Sequence, residues 1–334
     1  MEVPGNFEPG KRNSITDVPG VQVGHFTIHE SGIHTGITVI QPHTQNAYIN
    51  QTPCAVYSGN GFGKLSGSLQ VDELGVLESM IALTNTLSVP AVMQGLIEYY
   101  LETNKEITSI NVLVGETNDA ILNEIGKLSI KPAHVKEAIA ALSADTAEGN
   151  IGAGAGTCCF GYKGGIGTAS RLVPIKFQAG EITYTIGALV QTNFSGNLNI
   201  YGRPVKSGKT QKAGDGSCMI VIATDAPLDA RQLKRIAKRG IAGMTQTGSY
   251  MANGSGDFCI AFSNDINNIT VRKSNKLRTA TGFPDELINP LLEAACEAAR
   301  EAIYNSLCMA ESITGRDGNR LTALDMSKIA GLQE

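Results

Sequence analysis

Apolar residues fall into two kinds of run along the chain. Short stretches rich in β-branched residues, bounded by Gly, Pro or Asn, recur as GITVIQP (36–42), INVLVGE (110–116), YTIGALVQTNF (184–194), CMIVIATDA (218–226), FCIAFS (258–263) and NITVRKS (268–274). Each predicts a strand. Between them, residues 89–103 and 134–143 carry helical spacing. Residues 228–244 put Leu233, Ile236, Ala237 and Met244 on one side and Lys234, Arg235, Lys238 and Arg239 on the other, a solvated basic face. The best-defined helix opens at Asn289, a residue type suited to an N-cap, with Pro290 at a first position that needs no N–H. Leu291, Leu292, Ala295, Ala299, Ala302 and Ile303 then form its apolar stripe, and Glu293, Glu297 and Glu301 step along its polar edge. Strands and helices alternate throughout with no Pro/Ser-rich linker or repeat, which predicts one α/β domain over 1–334.

Composition narrows the functional classes. A 42% hydrophobic content excludes a disordered chain. With 27 Lys+Arg against 31 Asp+Glu the net charge is −4, which argues against nucleic acid as a partner. No apolar run approaches the ~18 residues of a membrane span, and MEVPGNFEPGKRNSITD lacks the apolar segment of a signal peptide. A cytoplasmic protein with no membrane partner is expected. The seven Cys include no C-x-x-C pair and sit mostly in apolar runs, as small buried hydrophobes of a reducing compartment. His25 and His29 are four apart, but VQVGHFTIHESG alternates like a strand and turn, and no H-E-x-x-H occurs. Neither a metal nor a cofactor is expected.

The 38 Gly are in excess, and three Gly-rich segments invite a phosphate-cradle reading. GRPVKSGKT (202–210) has five residues between Gly202 and Gly208 where a P-loop has four, and QKAGDGS and a strand follow instead of a helix. GNGFGKLSG (59–67) lacks the third Gly of a dinucleotide fingerprint. In EGNIGAGAGTCCFGYKGGIGTASR (148–171), Cys159 holds the place of that final Gly; dense small residues there favour close backbone approach, to a site wall or another subunit.

The segment that carries chemistry is MANGSGDFCIAFS (251–263). A polar stretch, Asn253-Gly254-Ser255-Gly256-Asp257, runs straight into an apolar strand. Ser255 is expected at the first residue of that strand, with Gly on both sides leaving its hydroxyl unobstructed. With this segment, SITDVPGVQVGH (14–25), TGITVIQP (35–42), NGFGKLSGSLQVDELG (60–75), LTNTLSV (83–89), VGETND (114–119), residues 148–171, GALVQTNF (187–194) and EAIYNSL (301–307) follow in the order seen in one family. Through these stretches the chain resembles the L-aminopeptidase/D-Ala-esterase/amidases and β-aminopeptidases (peptidase family P1).

The resemblance implies a four-layer αββα sandwich of the N-terminal-nucleophile type. It implies self-cleavage between Gly254 and Ser255 into 1–254 and 255–334, and a homo-oligomer, a tetramer of αβ units. The new N-terminal Ser255 would carry both nucleophile and base, because a free α-amine with a pKa of ~7.7–8 accepts a proton near neutrality. Small peptides, amides or esters are the implied substrates, cut after a small N-terminal L-, D- or β-amino acid through an acyl-enzyme. Glu116 of VGETND matches the Glu that holds the substrate ammonium. Asn118, two residues on, stands where some members have an oxyanion-binding Tyr. Asn193 of QTNF matches an oxyanion-facing Asn, and Glu301 aligns with the Glu of a Ser-x-Glu pair whose Ser is here Ala299. Two other readings compete: a glutamate N-acetyltransferase-like acyl transferase on the same architecture, disfavoured by Ser rather than Thr at 255, and a non-catalytic Gly-rich nucleotide-binding protein, disfavoured by the P-loop mismatch.

Overall fold

Strands form where β-branched runs alternate, and most are apolar on both faces because both faces are covered. In chain order they are β1 (Gln22–Glu30), β2 (Ile33–Gln41), β3 (Asn50–Gly61), β4 (Leu65–Ser66), β5 (Val76–Leu77), β6 (Ile81–Asn85), β7 (Leu113–Thr117), β8 (Ile166–Phe177), β9 (Gly180–Phe194), β10 (Asp215–Thr224), β11 (Gly254–Ser263) and β12 (Thr270–Val271). The helices are α1 (Ser68–Leu74), α2 (Val89–Thr103), α3 (Ala133–Ala140), α4 (Ala230–Gln246) and α5 (Asn289–Cys308). The computed structural model describes residues 5–206 and 215–327. Part of the P-loop-like segment therefore lies outside the described residues.

Two sheets result. One has the order β1-β2-β6-β7-β4; the other runs β8-β9-β10-β11-β3-β12, with β5 beside β3. Side-chain parity fixes how they stack. On β10, Met219, Val221 and Ala223 meet Ile81, Leu83 and Leu113 of the first sheet, as do Phe258, Ile260 and Phe262 on β11. The opposite parity, Cys218, Ile220 and Ile222 on β10 with Cys259 and Ala261 on β11, packs under Leu233, Ile236 and Met244 of α4 and the Ala-rich face of α5. Across the first sheet, Ile37, Val39, Ala82 and Val114 pack under Val92, Leu96 and Tyr100 of α2 and Val135 of α3. The layers are thus helix, sheet, sheet, helix, the αββα sandwich.

β10 and β11 are parallel neighbours, and α4 is the crossover between them. Asp229 caps α4 by accepting from Gln232 N, and the Gln232 side chain returns the bond to the Asp229 N–H, a capping box.

α5 departs from expectation at two points. Its N-cap is Ile288, with no side-chain bond, so Asn289 is its first residue. Its polar edge is also only partly polar: Glu293 is exposed, whereas Glu297 and Glu301 are buried. The reason is Arg171 on β8, 1% exposed beneath the helix. Its Nε lies 3.1 Å from Glu297 Oε2 and its Nη2 meets Glu301 Oε2, while Asn13 Nδ2 donates to Glu301 Oε1 at 2.6 Å. The sequence pattern also left β3, β6 and β8 unread. β8 carries Pro174, which a sheet tolerates because β8 is its edge strand.

The glycines of 148–171 serve close approach within the chain. A Cβ on Gly165 would stand 2.5 Å from the Gly149 carbonyl oxygen, and one on Gly154 would stand 2.4 Å from Ile166 N.

Candidate active site

The starts of β10 and β11 lie at the same rim as the ends of β9 and β3, and there they face the end of β7 in the other sheet. A cavity of about 750 Å³ opens at this rim, lined by Phe62, Lys64, Glu116, Asn118, Asn193 and Gly254 among others. All six come from segments singled out in the sequence for chemistry or glycine; Phe62 and Lys64 belong to GNGFGKLSG.

Ser255 is the second residue of β11, not the first, and its side chain is not free. It is 2% exposed, and its hydroxyl donates to Asp257 Oδ1 at 2.8 Å, two residues on along the same strand face. In the unbroken chain Gly254, not Ser255, lines the cavity. The flanking glycine at 256 has a specific cause: a Cβ there would stand 2.6 Å from the Phe62 carbonyl oxygen, because the loop after β3 crosses directly over it.

Asn193 sits in register with Ser217, which in turn is in register with Gly256. Its Oδ1 accepts from Cys158 N at 2.9 Å, which fixes the amide and leaves Nδ2 as a donor on the cavity wall. Glu116, near the end of β7, is 4% exposed. Its Oε1 takes both Lys64 N, at 3.0 Å, and Lys64 Nζ, at 3.3 Å. A Cβ built on Gly63 would stand 3.1 Å from that Oε1 and 3.4 Å from Gly256 Cα. The carboxylate therefore lies within about 6.5 Å of the backbone next to Ser255. Asn118 is exposed on the cavity rim, with Oδ1 accepting from Ala120 N at 3.0 Å.

Glu301 is not brought to this group. Both its oxygens are taken by Arg171 and Asn13 under α5. That geometry assigns it to an ion cluster that holds α5 to the sheet, and the role implied by the alignment gains nothing from it. Beside the cluster, burial and the nearby Glu301 charge push the Glu148 carboxyl up to about 7.

Four residues with evident chemistry are not singled out by the sequence. Asp257 belongs to the polar stretch around Ser255, but only the i, i+2 parity of a strand reveals that the two share a face. Burial pushes its carboxyl up to about 6. Asn60 lies opposite Asp257 on β3, and its Nδ2 donates to the Ala252 carbonyl at 3.0 Å, to that of Asn253 and to that of Ser255. Lys64 also donates to Thr86 Oγ1 at 2.6 Å. Behind Asn193, Lys163 is fully buried and donates to the Gly154 and Gly164 carbonyls; burial pushes its ammonium down to about 7. Among the described residues, no group of three or more His, Cys, Asp or Glu is placed to hold a metal ion.

The model of peptidase family S58 matches residues 13–321. The β-peptidyl aminopeptidase BapA of Sphingosinicella microcystinivorans is 36% identical, over 99% of this chain and 90% of that protein. The crystal structure of the PH0078 protein from Pyrococcus horikoshii OT3 superposes with a TM-score of 0.92 at 42% identity, covering 100% of this chain and 97% of the other. The L-aminopeptidase D-Ala-esterase/amidase of Ochrobactrum anthropi, described as a prototype serine aminopeptidase and a variant of the Ntn hydrolase fold, superposes with a TM-score of 0.89 at 31% identity, covering 99% and 96%.

Proposed function

The chain belongs to peptidase family S58, and from that membership we propose a self-processing serine aminopeptidase/amidase, cut between Gly254 and Ser255. It is a hydrolase with the Ntn fold. The observation that carries the reading of its chemistry is the placement of one buried carboxylate, Glu116, within about 6.5 Å of the backbone beside the nucleophile. A carboxylate at that range suits an enzyme that recognises the ammonium of an N-terminal residue next to the bond it breaks.

In the mature form the freed Ser255 would turn into the cavity once its tether to Gly254 is gone. Its α-amine takes the hydroxyl proton, Oγ attacks the substrate carbonyl, and Asn193 Nδ2 donates to the oxyanion. The leaving amine departs with a proton, and water then opens the acyl-enzyme. Asn118 is at the rim as a further polar contact for substrate. Peptides, amides and esters with a small N-terminal L-, D- or β-amino acid are the substrates we propose. A cytoplasmic setting fits the five fully buried free cysteines, packed as small hydrophobes, and a homo-oligomer of the cut units is the assembly we propose. No helix among the described residues is long and apolar enough to cross a membrane.

A panel of aminoacyl p-nitroanilides tests this reading. Turnover of at least one α-L, D-Ala or β-amino member is expected, and N-acetylation of the same compound should abolish it, because Glu116 then has no cation to hold. Turnover of blocked substrates at equal rate would overturn the assignment. Glu116→Gln is expected to lower kcat/KM about 10- to 100-fold, mostly through KM, the value of a hydrogen bond to a charged group. In the free protein Lys64 Nζ lies 3.3 Å from the Glu116 carboxylate that we propose holds the substrate's ammonium. Lys64→Met is therefore expected to lower KM a few-fold, no more, because a half-exposed ion pair is weak. Asn193→Ala is expected to lower kcat about 10²- to 10³-fold with KM little changed.

A further inference from the structure

The self-cleavage reading leaves one step without a catalyst. In the unbroken chain the α-amine of Ser255 is locked in the peptide bond that must break, so it cannot accept the hydroxyl proton. The five histidines lie on β1, on β2, in the loop after β2 and on α3, and their hydrogen bonds go to residues other than Ser255. Ser255 is buried and off the cavity lining, which removes bulk water as an easy acceptor. One titratable group is hydrogen-bonded to Ser255 Oγ: Asp257, at 2.8 Å, itself fully buried and with Oδ2 lacking any partner among the described residues.

We propose that Asp257 is the catalytic base of self-cleavage and that Asn60 is a positioning residue for it. Asp257 Oδ1 takes the Ser255 hydroxyl proton as Oγ bonds to the Gly254 carbonyl carbon. The Gly254–Ser255 C–N bond then breaks, the proton passes to the departing nitrogen, and an ester joins Gly254 to Ser255 Oγ. Water adds to that ester, giving the Gly254 carboxylate and restoring the Ser255 hydroxyl beside its new α-amine. Asn60 holds the segment still for this exchange. Its side-chain amide donates to the Ala252, Asn253 and Ser255 carbonyls, on both sides of the scissile bond, and Phe62 N adds a contact to the Ser255 carbonyl at 3.3 Å. Asn60 can do so because it stands opposite Asp257 in the β3–β11 register.

The environment sets the pH at which this base works. Burial raises the Asp257 carboxyl to about 6, and the Ser255 hydroxyl bond opposes that rise. Across β10 the titratable neighbour is the Cys218 thiol, which burial pushes well above its usual range, so it stays neutral. On β3 the facing residue is the neutral Asn60, and the buried face of α4 carries no charge. The basic form of Asp257 therefore gains population as pH rises through about 6, and cleavage should accelerate from pH 5 to 7 and then level off.

The test is a pulse–chase of the full chain made by cell-free translation, with fragment formation followed between pH 5 and 8. Asp257→Asn keeps the shape and the acceptor oxygen but not the base. It is expected to cleave about 100-fold or more slowly than wild type, with a flat pH profile, while keeping a native near-ultraviolet circular dichroism spectrum. Cleavage of a folded Asp257→Asn chain at the wild-type rate overturns the proposal. If that variant does not fold, the wild-type profile decides: a rise through pH 6 supports Asp257 and a flat rate overturns it. A wild-type chain that never splits at any pH defeats the self-cleavage reading itself, which is a separate outcome.

Discussion

Ser255→Ala yields a purified protein of one mass and removes aminopeptidase activity by about 10⁴-fold or more, the scale seen when a nucleophile is lost. Both losses have one cause. The hydroxyl that attacks the Gly254 carbonyl is the one that later attacks substrate, and without the first event no α-amine is liberated to serve as base. Intact-mass analysis under denaturing conditions reads the first loss, and hydrolysis of the best p-nitroanilide reads the second. The wild-type protein should give two masses that divide before Ser255. Its kcat/KM should rise with pH between about 6 and 8, because the N-terminal amine is protonated and useless as a base below its pKa of ~7.7–8. Amidase activity in the Ser255→Ala protein at the wild-type level would remove Ser255 from the mechanism.

Arg171→Met is expected to cost about 3–5 kcal/mol of stability, the usual penalty for breaking a buried ion cluster from one side. Arg171 is 1% exposed and neutralises Glu297 and Glu301, which are 7% and 3% exposed, so its removal strands two carboxylates beneath α5. The neighbouring Glu148, already shifted upward in part by the Glu301 charge, makes the stranded site more acidic still. Urea unfolding is best measured in the uncut Ser255→Ala background, where the chain is in one piece. Glu301→Gln separates the two roles open to that residue. As a member of the ion cluster it should lower the urea midpoint and leave the kcat of the surviving folded enzyme near wild type. A large kcat loss at unchanged stability would instead restore the role at the nucleophile that the alignment implied.

Much of this architecture was legible in the residues. The apolar runs at 184–194, 218–226 and 258–263 became the central strands, and 89–103 became α2 to the residue. Ser255 stood out in its local segment, Asn193, Glu116 and Asn118 came through the family resemblance, and these three, with Gly254, line one cavity or its rim. What was not legible has a common physical origin. The burial of Glu297 and Glu301 depends on Arg171, more than 120 positions away, and a helical wheel cannot see a charge on a strand beneath it. Asn60 and Lys64 reach the site only because the loop after β3 folds over Gly256, which a run of glycines permits but does not announce. Asp257 was visible but mute, since its meaning lies in a hydrogen bond and not in a spacing. The expectation of an unobstructed serine failed for the same reason: flanking glycines clear space along the chain and say nothing of the layer packed on the strand.

β11 is hydrogen-bonded on both of its edges, to β10 on one side and β3 on the other. A cut before Ser255 would put this strand on a different polypeptide from both neighbours, together with α5. The pieces could not drift apart without tearing the sheet through its middle, so they should co-purify as one particle in native buffer. Unfolding, however, would change character. The uncut chain refolds by finding itself, whereas the cut pair must find each other, with an inner strand to be threaded between two partners that would already have closed. Denatured enzyme should therefore recover poorly on dilution, and worse still at low concentration, while the uncut serine variant recovers well. The durability of the working enzyme would then be a matter of how slowly it opens and not of how favourably it closes.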